Sequence, residues 1–143
     1  MKTKTLLYIF GTRPEAIKLA PLIIATKQNP NFKTVVCVTA QHREMLDQVL
    51  LFFGIVPDID LGIMKQGQDL FDVTSLALLG LKEIMQELRP DLVIVQGDTA
   101  TTFTGALAAF YLQIKVAHIE AGLRSYNKYA PFPEEVYRVL VSR

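Results

Sequence analysis

The chain has 143 residues, of which 50% are hydrophobic and 20% charged, with a formal net charge of +1. This size and composition predict one globular domain with a substantial core and exclude a disordered chain. The near-neutral charge argues against general attraction to nucleic acid or to an anionic membrane. The single cysteine, Cys37, excludes an internal disulfide. No apolar segment approaches the length of a membrane span and no signal-peptide pattern precedes residue 11, so we expect a cytoplasmic protein.

Short apolar runs alternate with helical segments along the chain. This alternation predicts an α/β fold with a parallel sheet flanked by helices. In such a sheet, ligands bind at the carboxyl ends of the strands. Strands are predicted over residues 5–10, 33–39, 58–61, 91–96 and 115–120, and helices over 12–28, 43–53, 70–88, 99–112 and from 134 onward, with loops at 64–69 and 121–133.

The first strand leads directly into a helix through the run Gly-Thr-Arg-Pro-Glu at 11–15. Thr12 and Glu15 match a capping box. A helix N-terminus offers backbone N–H groups and a positive dipole end to an anion, and the Arg13 guanidinium matches phosphate oxygens. Lys18 follows one turn later. The run therefore suggests phosphate contact, and its alternative is a capped helix with solvated basic side chains.

Three carboxylates stand at the ends of predicted strands or at the start of the last helix. Asp98 follows the apolar run 92–97, Glu120 follows 115–119, and Glu134 opens the final helix. Acids in different environments acquire separated pKa values and divide acid and base roles. Alternatives remain open, because Asp98 also suits a helix N-cap and Glu134 suits an ordinary first helical turn.

Metal and cofactor chemistry find little support in the sequence. The two histidines and Cys37 have no zinc-site spacing, and no G-x-G-x-x-G or P-loop motif is present. The H-x-E formed by His118 and Glu120 lacks the P-C-x-x-C of zinc deaminases. We therefore expect no metal and no cofactor, a buried and hydrogen-bonded His118, and a buried strand thiol at Cys37.

Five motifs in chain order carry a family resemblance from the first strand to about Glu135. Together they closely resemble the bacterial non-hydrolysing UDP-N-acetylglucosamine 2-epimerases, and a relative that hydrolyses UDP is a poorer match. The motifs are Gly-Thr-Arg-Pro-Glu-Ala-Ile-Lys at 11–18, Thr-Ala-Gln-His-Arg-Glu-Met-Leu-Asp at 39–47, Gly-Asp-Thr at 97–99, His-Ile-Glu-Ala-Gly-Leu-Arg at 118–124 and Pro-Glu-Glu at 133–135.

The resemblance implies the glycosyltransferase-B arrangement, in which two Rossmann-like domains face each other across a cleft. Residues 1–143 would be the first domain, without the C-terminal domain. Members interconvert UDP-GlcNAc and UDP-ManNAc at C2 of the sugar through elimination and re-addition of UDP. A cytoplasmic isomerase of cell-envelope polysaccharide biosynthesis is implied, with a UDP-sugar substrate, a homodimer and no cofactor. The isolated chain would be inactive.

Individual residues take their roles only from this resemblance. The implied acid and base carboxylates are Asp98, Glu120 and Glu134, and the implied UDP-sugar contacts are Arg13 and Lys18. A second, allosteric site is implied at Gln41, His42, Gln68 and Glu135. The chain departs from the family after Glu135, where Val-Tyr-Arg at 136–138 replaces the usual Asn-Arg pair.

Two other functions remain open. One is a non-catalytic Rossmann module that self-associates or binds sugar nucleotide weakly, and the other is half of a glycosyltransferase-B enzyme. Fold alone does not separate these from an epimerase. The high apolar content predicts an exposed apolar surface and self-association. The resemblance implies dimerisation through helices of the first domain, so the helices at about 43–53 and 70–88 are the candidates.

Overall fold

The computed structural model describes residues 2–40 and 43–143, within which five strands form one parallel sheet with helices packed against it. The strands are β1 (Lys4–Phe10), β2 (Phe32–Val38), β3 (Ile59–Asp60), β4 (Leu92–Gln96) and β5 (Lys115–Ile119). The helices are α1 (Arg13–Lys27), α2 (Arg43–Phe52), α3 (Leu70–Leu88), α4 (Ala100–Tyr111) and α5 (Glu134–Val141). The predicted α/β class is confirmed, and the predicted element bounds are close to these.

The strand order across the sheet is β3-β2-β1-β4-β5. β1 lies in the centre, paired with β2 on one side and β4 on the other. The side chains from Leu7 to Phe10 are fully buried, as a central parallel strand with both faces covered requires. β5 is the last strand and pairs with β4 so that Ile119 lies beside Gln96. The chain segments that leave β4 and β5 are therefore neighbours at the carboxyl edge.

Two apolar layers hold the helices to the sheet. On one face, Tyr8 and Phe10 pack with Leu19 and Ile23 of α1 and with Leu46 of α2. On the opposite face, the layer joins alternate strand residues to α3 and α4; its members include Leu7, Ile9, Val93, Val95, Leu81, Met85, Ala108 and Ala109. Because successive strand residues point to opposite faces, one apolar strand serves both layers.

α4 lies unusually close to the sheet, and this places its N-terminus beside the end of β4. A Cβ on Gly105 would lie 3.2 Å from Val95 Cγ1 and 3.3 Å from Ile9 Cδ1. Glycine at this position therefore permits the close helix–strand approach. α5 packs on α4 in turn, with the rings of Phe103 and Tyr137 stacked 5.0 Å apart.

Cys37 is completely buried in β2, as predicted. Burial, together with the nearby charge of Asp60, raises the pKa of its thiol to about 12. In residues 2–40 and 43–143, no helix combines the length and apolar character needed to cross a bilayer.

Candidate active site at the carboxyl edge of the sheet

Asp98 and Glu120 lie together at the carboxyl edge, as their positions after strand-like runs predict. Arg138 of α5 joins them. Its Nη2 donates to Asp98 Oδ2 at 2.5 Å, and its Nη1 donates to the backbone carbonyl of Glu120. The Arg138 side chain is only 8% exposed, whereas that of Asp98 is 26% exposed. One buried cation therefore fixes both segments and leaves the Asp98 carboxylate partly open to solvent.

The Glu120 carboxylate has its own positive partner. Lys18 Nζ and Gln96 Nε2 each donate to Glu120 Oε2 at 2.5 Å. The hydrogen bond and charge of Lys18 hold the pKa of this carboxyl below its usual range, with smaller contributions from Arg138 and Gln96. Glu120 also has a positive φ of 59°, a conformation that is uncommon for residues other than glycine and concentrates at functional sites.

The alternative assignment of Asp98 as a helix cap is wrong. Thr99 is the N-cap of α4, and its Oγ1 accepts a hydrogen bond from the Thr102 amide at 3.1 Å. The carboxylate of Asp98 is turned to Arg138 instead. The Thr102 amide at the N-terminus of α4 thus has a hydrogen-bond acceptor without Asp98.

Glu134, the first residue of α5, differs from the other two acids. Its Oε2 is buried, and within residues 2–40 and 43–143 no donor reaches it. A buried polar atom without a partner is rare in folded proteins and is often explained by a bound water, ion or ligand. Glu134 therefore presents an acceptor that a ligand hydroxyl or amide is able to satisfy.

Arg138 is the site residue that the sequence analysis missed. It stands four positions after Glu134 in α5, and residues at this spacing share one face of a helix. That spacing is a signal available in the sequence. The sequence does not reveal the partners of Arg138, because Asp98 and Glu120 are 40 and 18 positions away.

The start of α1 requires a correction. The amides of Gly11 and Thr12, which were expected to face an anion, donate to Glu15 Oε2 at 2.9 and 2.8 Å. These two groups are therefore satisfied internally. Arg13 is exposed at the same edge, and Lys18 is held by Glu120. Phosphate contact through these two side chains stays a prediction.

His118 is hydrogen-bonded as predicted, although it is half-buried rather than buried. Its Nε2 lies 2.7 Å from the carbonyl oxygen of Gly97 and its Nδ1 lies 3.2 Å from Ser142 Oγ. Because a carbonyl only accepts, Nε2 carries the proton. Burial lowers the pKa of the imidazole, and the charges of Arg138 and Arg124 act in the same direction, whereas the hydrogen bond to Gly97 and the charge of Asp98 partly oppose them. A neutral His118 thus links β5 to the turn after β4 and to α5.

The residues that the resemblance implies for a second site are only partly visible. Gln41 and His42 lie outside the described residues. The Gln68 side chain is used within its own loop, where Nε2 donates to the Ile63 carbonyl at 2.8 Å and Oε1 accepts from the Lys65 amide at 2.7 Å. Its assignment to an allosteric site stays a prediction.

Glu135 is buried and organises the loop that precedes α5. Its carboxylate accepts from the amides of Ser125 and Tyr126 at 2.9 Å and from the Ser125 hydroxyl at 3.1 Å. Backbone and hydroxyl hydrogen bonds lower the pKa of this carboxyl, with a smaller contribution from Arg124. Glu135 therefore braces the loop, and an allosteric role for it stays a prediction.

Two surface concavities lie at the opposite, amino edge. They have volumes of about 450 Å³ each and share Pro90 and Ile114 in their lining. The titratable side chains that border the second concavity are Lys4, Asp91 and Lys115, of which Lys4 and Asp91 form an exposed ion pair. In the part of the chain that the structure describes, no group of three or more His, Cys, Asp or Glu side chains is arranged to hold a metal ion.

The fold and this edge define a parallel α/β domain whose acids and basic side chains converge where such sheets bind ligands. A family model for UDP-N-acetylglucosamine 2-epimerase matches residues 24–143. The UDP-N-acetylglucosamine 2-epimerase of Bacillus subtilis is 58% identical over 138 residues, which cover 96% of this chain and 36% of that protein.

Solved structures give the same result. A crystal structure of a UDP-N-acetylglucosamine 2-epimerase has a TM-score of 0.94 and 57% identity, covering 99% of this chain and 38% of that one. The enzyme from Neisseria meningitidis bound to UDP-GlcNAc has a TM-score of 0.91 and 53% identity, covering 96% of this chain and 38% of its own.

The chain therefore belongs to the UDP-N-acetylglucosamine 2-epimerase family. It spans little more than a third of the length of the relatives that it matches.

Proposed function

We propose that this chain is the N-terminal, Rossmann-like domain of an enzyme that interconverts UDP-GlcNAc and UDP-ManNAc at C2. The reaction proceeds through elimination and re-addition of UDP. The second domain supplies the other wall of the cleft, so residues 1–143 alone are inactive. Family membership supports the reaction. The similar enzyme from Neisseria meningitidis, whose crystal structure holds UDP-GlcNAc, supports the substrate.

One observation carries the proposal: Asp98 and the Glu120 backbone meet on one buried Arg138, in the helix that Glu134 opens. Epimerisation removes a proton from one face of C2 and returns one to the other face. Elimination also needs stabilisation of the departing diphosphate. Carboxylates in unlike surroundings suit such divided proton transfers.

The surroundings of the acids differ in a way that fits this division. Lys18 and Gln96 favour the charged form of Glu120, whose pKa is lowered. Glu134 instead has a buried oxygen without a donor among the described residues. Arg13 and Lys18 lie on α1 beside these groups and are assigned to the diphosphate side of the substrate, where a guanidinium and an ammonium each bind phosphate oxygens.

The remaining assignments concern the whole protein. We assign it to the cytoplasm and to homodimers, with Gln41, His42, Gln68 and Glu135 at an allosteric site. Large exposed apolar side chains on α2 and α3 favour association through these helices: Leu51 is 83% exposed, Phe52 82%, Phe71 84% and Leu79 62%. Apolar surface of this kind commonly marks interfaces.

Proton NMR of the sugar anomeric region, after incubation with UDP-GlcNAc, tests the proposal. The polypeptide that carries this chain together with a second domain is expected to form UDP-ManNAc. Residues 1–143 alone are expected to form neither UDP-ManNAc nor free UDP with 2-acetamidoglucal, because positioning that contributes about 7–11 kcal/mol is missing. Turnover by the isolated chain contradicts its assignment as an incomplete half. No turnover by the two-domain polypeptide contradicts the proposed reaction.

A further inference from the structure

Glu15 is a buried carboxylate to which the proposed reaction assigns no role. It is 2% exposed, although it lies in the first turn of α1. Carboxylates are seldom buried this completely unless their oxygens are paired. In Glu15 the pairing is not with a cation but with backbone amides and hydroxyls.

The two oxygens of Glu15 face two different loops. Oε2 accepts from the amides of Gly11 and Thr12 and from the Thr12 hydroxyl at 2.8–2.9 Å. Oε1 accepts from the Thr99 hydroxyl at 2.6 Å. The Thr102 hydroxyl lies 3.1 Å from the same oxygen and closer, at 2.7 Å, to the Gln96 carbonyl. Gly11 and Thr12 directly precede Arg13, and Thr99 directly follows Asp98. The carboxylate thus spans the gap between the loop after β1 and the loop after β4.

The geometry points to Glu15 as a positioning residue that sets where Arg13 stands relative to Asp98. The β1 and β4 backbones pair only from Leu6 to Tyr8 and from Leu92 to Ile94, so the sheet ladder does not extend to these loops. Across the gap, the Thr99 hydroxyl and the Gly11 and Thr12 donors share one rigid acceptor. The catalytic consequence rests on the proposed function, whereas the coupling of the two loops does not.

Backbone amide NMR of the 143-residue chain tests the coupling without any ligand. Thr99→Val removes the hydroxyl and is expected to shift the amides of Gly11 and Thr12, across the gap. Thr99→Ser keeps the hydroxyl and is expected to leave the chemical shifts of those amides unchanged. In a Glu15→Gln background the effect of Thr99→Val on them should vanish, because neighbouring groups that share a partner are not additive.

Thr99→Val also removes the α4 cap, whose amide donor belongs to Thr102, and the Thr102 hydroxyl lies 3.1 Å from Glu15 Oε1. The part of the shift that persists in the Glu15→Gln background therefore measures the loss of the cap, and the part that vanishes measures the coupling through Glu15. Leu81→Ala, in the apolar layer on the other face of the sheet, controls for general destabilisation. It should not change the amide chemical shifts of residues 11 and 12. If Glu15→Gln does not fold, the Thr99→Val and Thr99→Ser pair decides alone. Equal shifts from Val and Ser, or none from Val, overturn the coupling.

Kinetics of the two-domain polypeptide test the consequence for Arg13. Glu15→Gln and Arg13→Ala are each expected to lower kcat/KM for UDP-GlcNAc, the former by about 10²-fold, which is the scale of a misplaced contact. The double variant should fall no further than the more impaired single variant. Fully additive losses overturn the positioning role. A wild-type protein without epimerase activity counts against the proposed function instead, and the amide measurement still decides the coupling.

Discussion

The two edges of the sheet differ in what they offer a ligand. The amino edge has two concavities of about 450 Å³ each and an ion pair between Lys4 and Asp91 whose side chains are 58% and 40% exposed. At the carboxyl edge, by contrast, Arg138 is buried against Asp98 and the Glu120 carbonyl. These concavities and the buried guanidinium therefore lie at opposite edges.

The contrast shows which feature marks a site when a chain spans only about a third of the length of its relatives. In the two-domain protein that we propose, enclosure comes from both walls of the cleft. Oriented charges need only the residues of one wall. Folding alone does not favour a buried guanidinium, a glutamate at positive φ or a buried acceptor that no donor of the described residues reaches. They are better evidence for function here than cavity size.

The largest expected effect comes from removing one proton-transferring group at the carboxyl edge. In the two-domain polypeptide, Asp98→Asn, Glu120→Gln and Glu134→Gln should each lower kcat by about 10²–10⁴-fold, the usual contribution of a general acid or base. Asp91→Asn makes the same chemical change at the amino edge and should leave turnover nearly unchanged. Conversion of UDP-GlcNAc to UDP-ManNAc, followed by NMR, gives the rates. Near-normal turnover in all three site variants would contradict the assigned roles.

A smaller effect is expected on stability from the buried ion pair. Removing one partner of a fully buried pair costs about 3–5 kcal/mol. Because the Asp98 side chain keeps 26% exposure, we expect about 2 kcal/mol for Arg138→Met. Lys4→Met, at the exposed pair of the amino edge, should change stability little. Urea unfolding of the 143-residue chain measures both. Equal losses of unfolding free energy for the two variants would contradict the distinction between a buried ion pair at the carboxyl edge and an exposed one at the amino edge.

The smallest effect concerns the titration of Glu120. Lys18 lowers the pKa of this carboxyl below the unperturbed 4.5. The stability that the pair contributes is therefore present above pH 4.5 and is lost as the pH falls through the lower, folded-state pKa. Lys18→Met should raise the pKa, measured by carbon NMR of the Glu120 carboxyl. Lys27→Met removes the same charge at the other end of α1 and should not change it; an equal shift would indicate a general field rather than this pair.

Local sequence patterns predicted the elements well because each depends on nearby residues. The run 5–10 is apolar on both faces, and α3 was placed correctly at Leu70–Leu88 between a polar loop and Arg89-Pro90. Strand order was not predictable from the sequence. It decides which strand ends are neighbours, and it depends on packing among helices distant in the chain.

The candidate site likewise has residues that local sequence patterns predicted and residues that they did not. Asp98, Glu120 and Glu134 were found because each stands beside an element boundary. Arg138 and the link from Glu15 to Thr99 were missed, since their partners lie 40 and 84 positions away. Glu15 was interpreted only as a local cap, and its second oxygen serves a distant loop.

Titration of the isolated, nitrogen-15-labelled chain with millimolar UDP tests most directly whether the carboxyl edge is the ligand site. Weak diphosphate binding needs only Arg13, Lys18 and the adjoining loops, so it should survive without a second domain. We expect saturable shifts in the amides of Arg13, Asp98 and Glu120, with none at Gln113–Lys115 beside the concavities of the amino edge. Shifts confined to residues 113–115 and 91–92 would contradict the account.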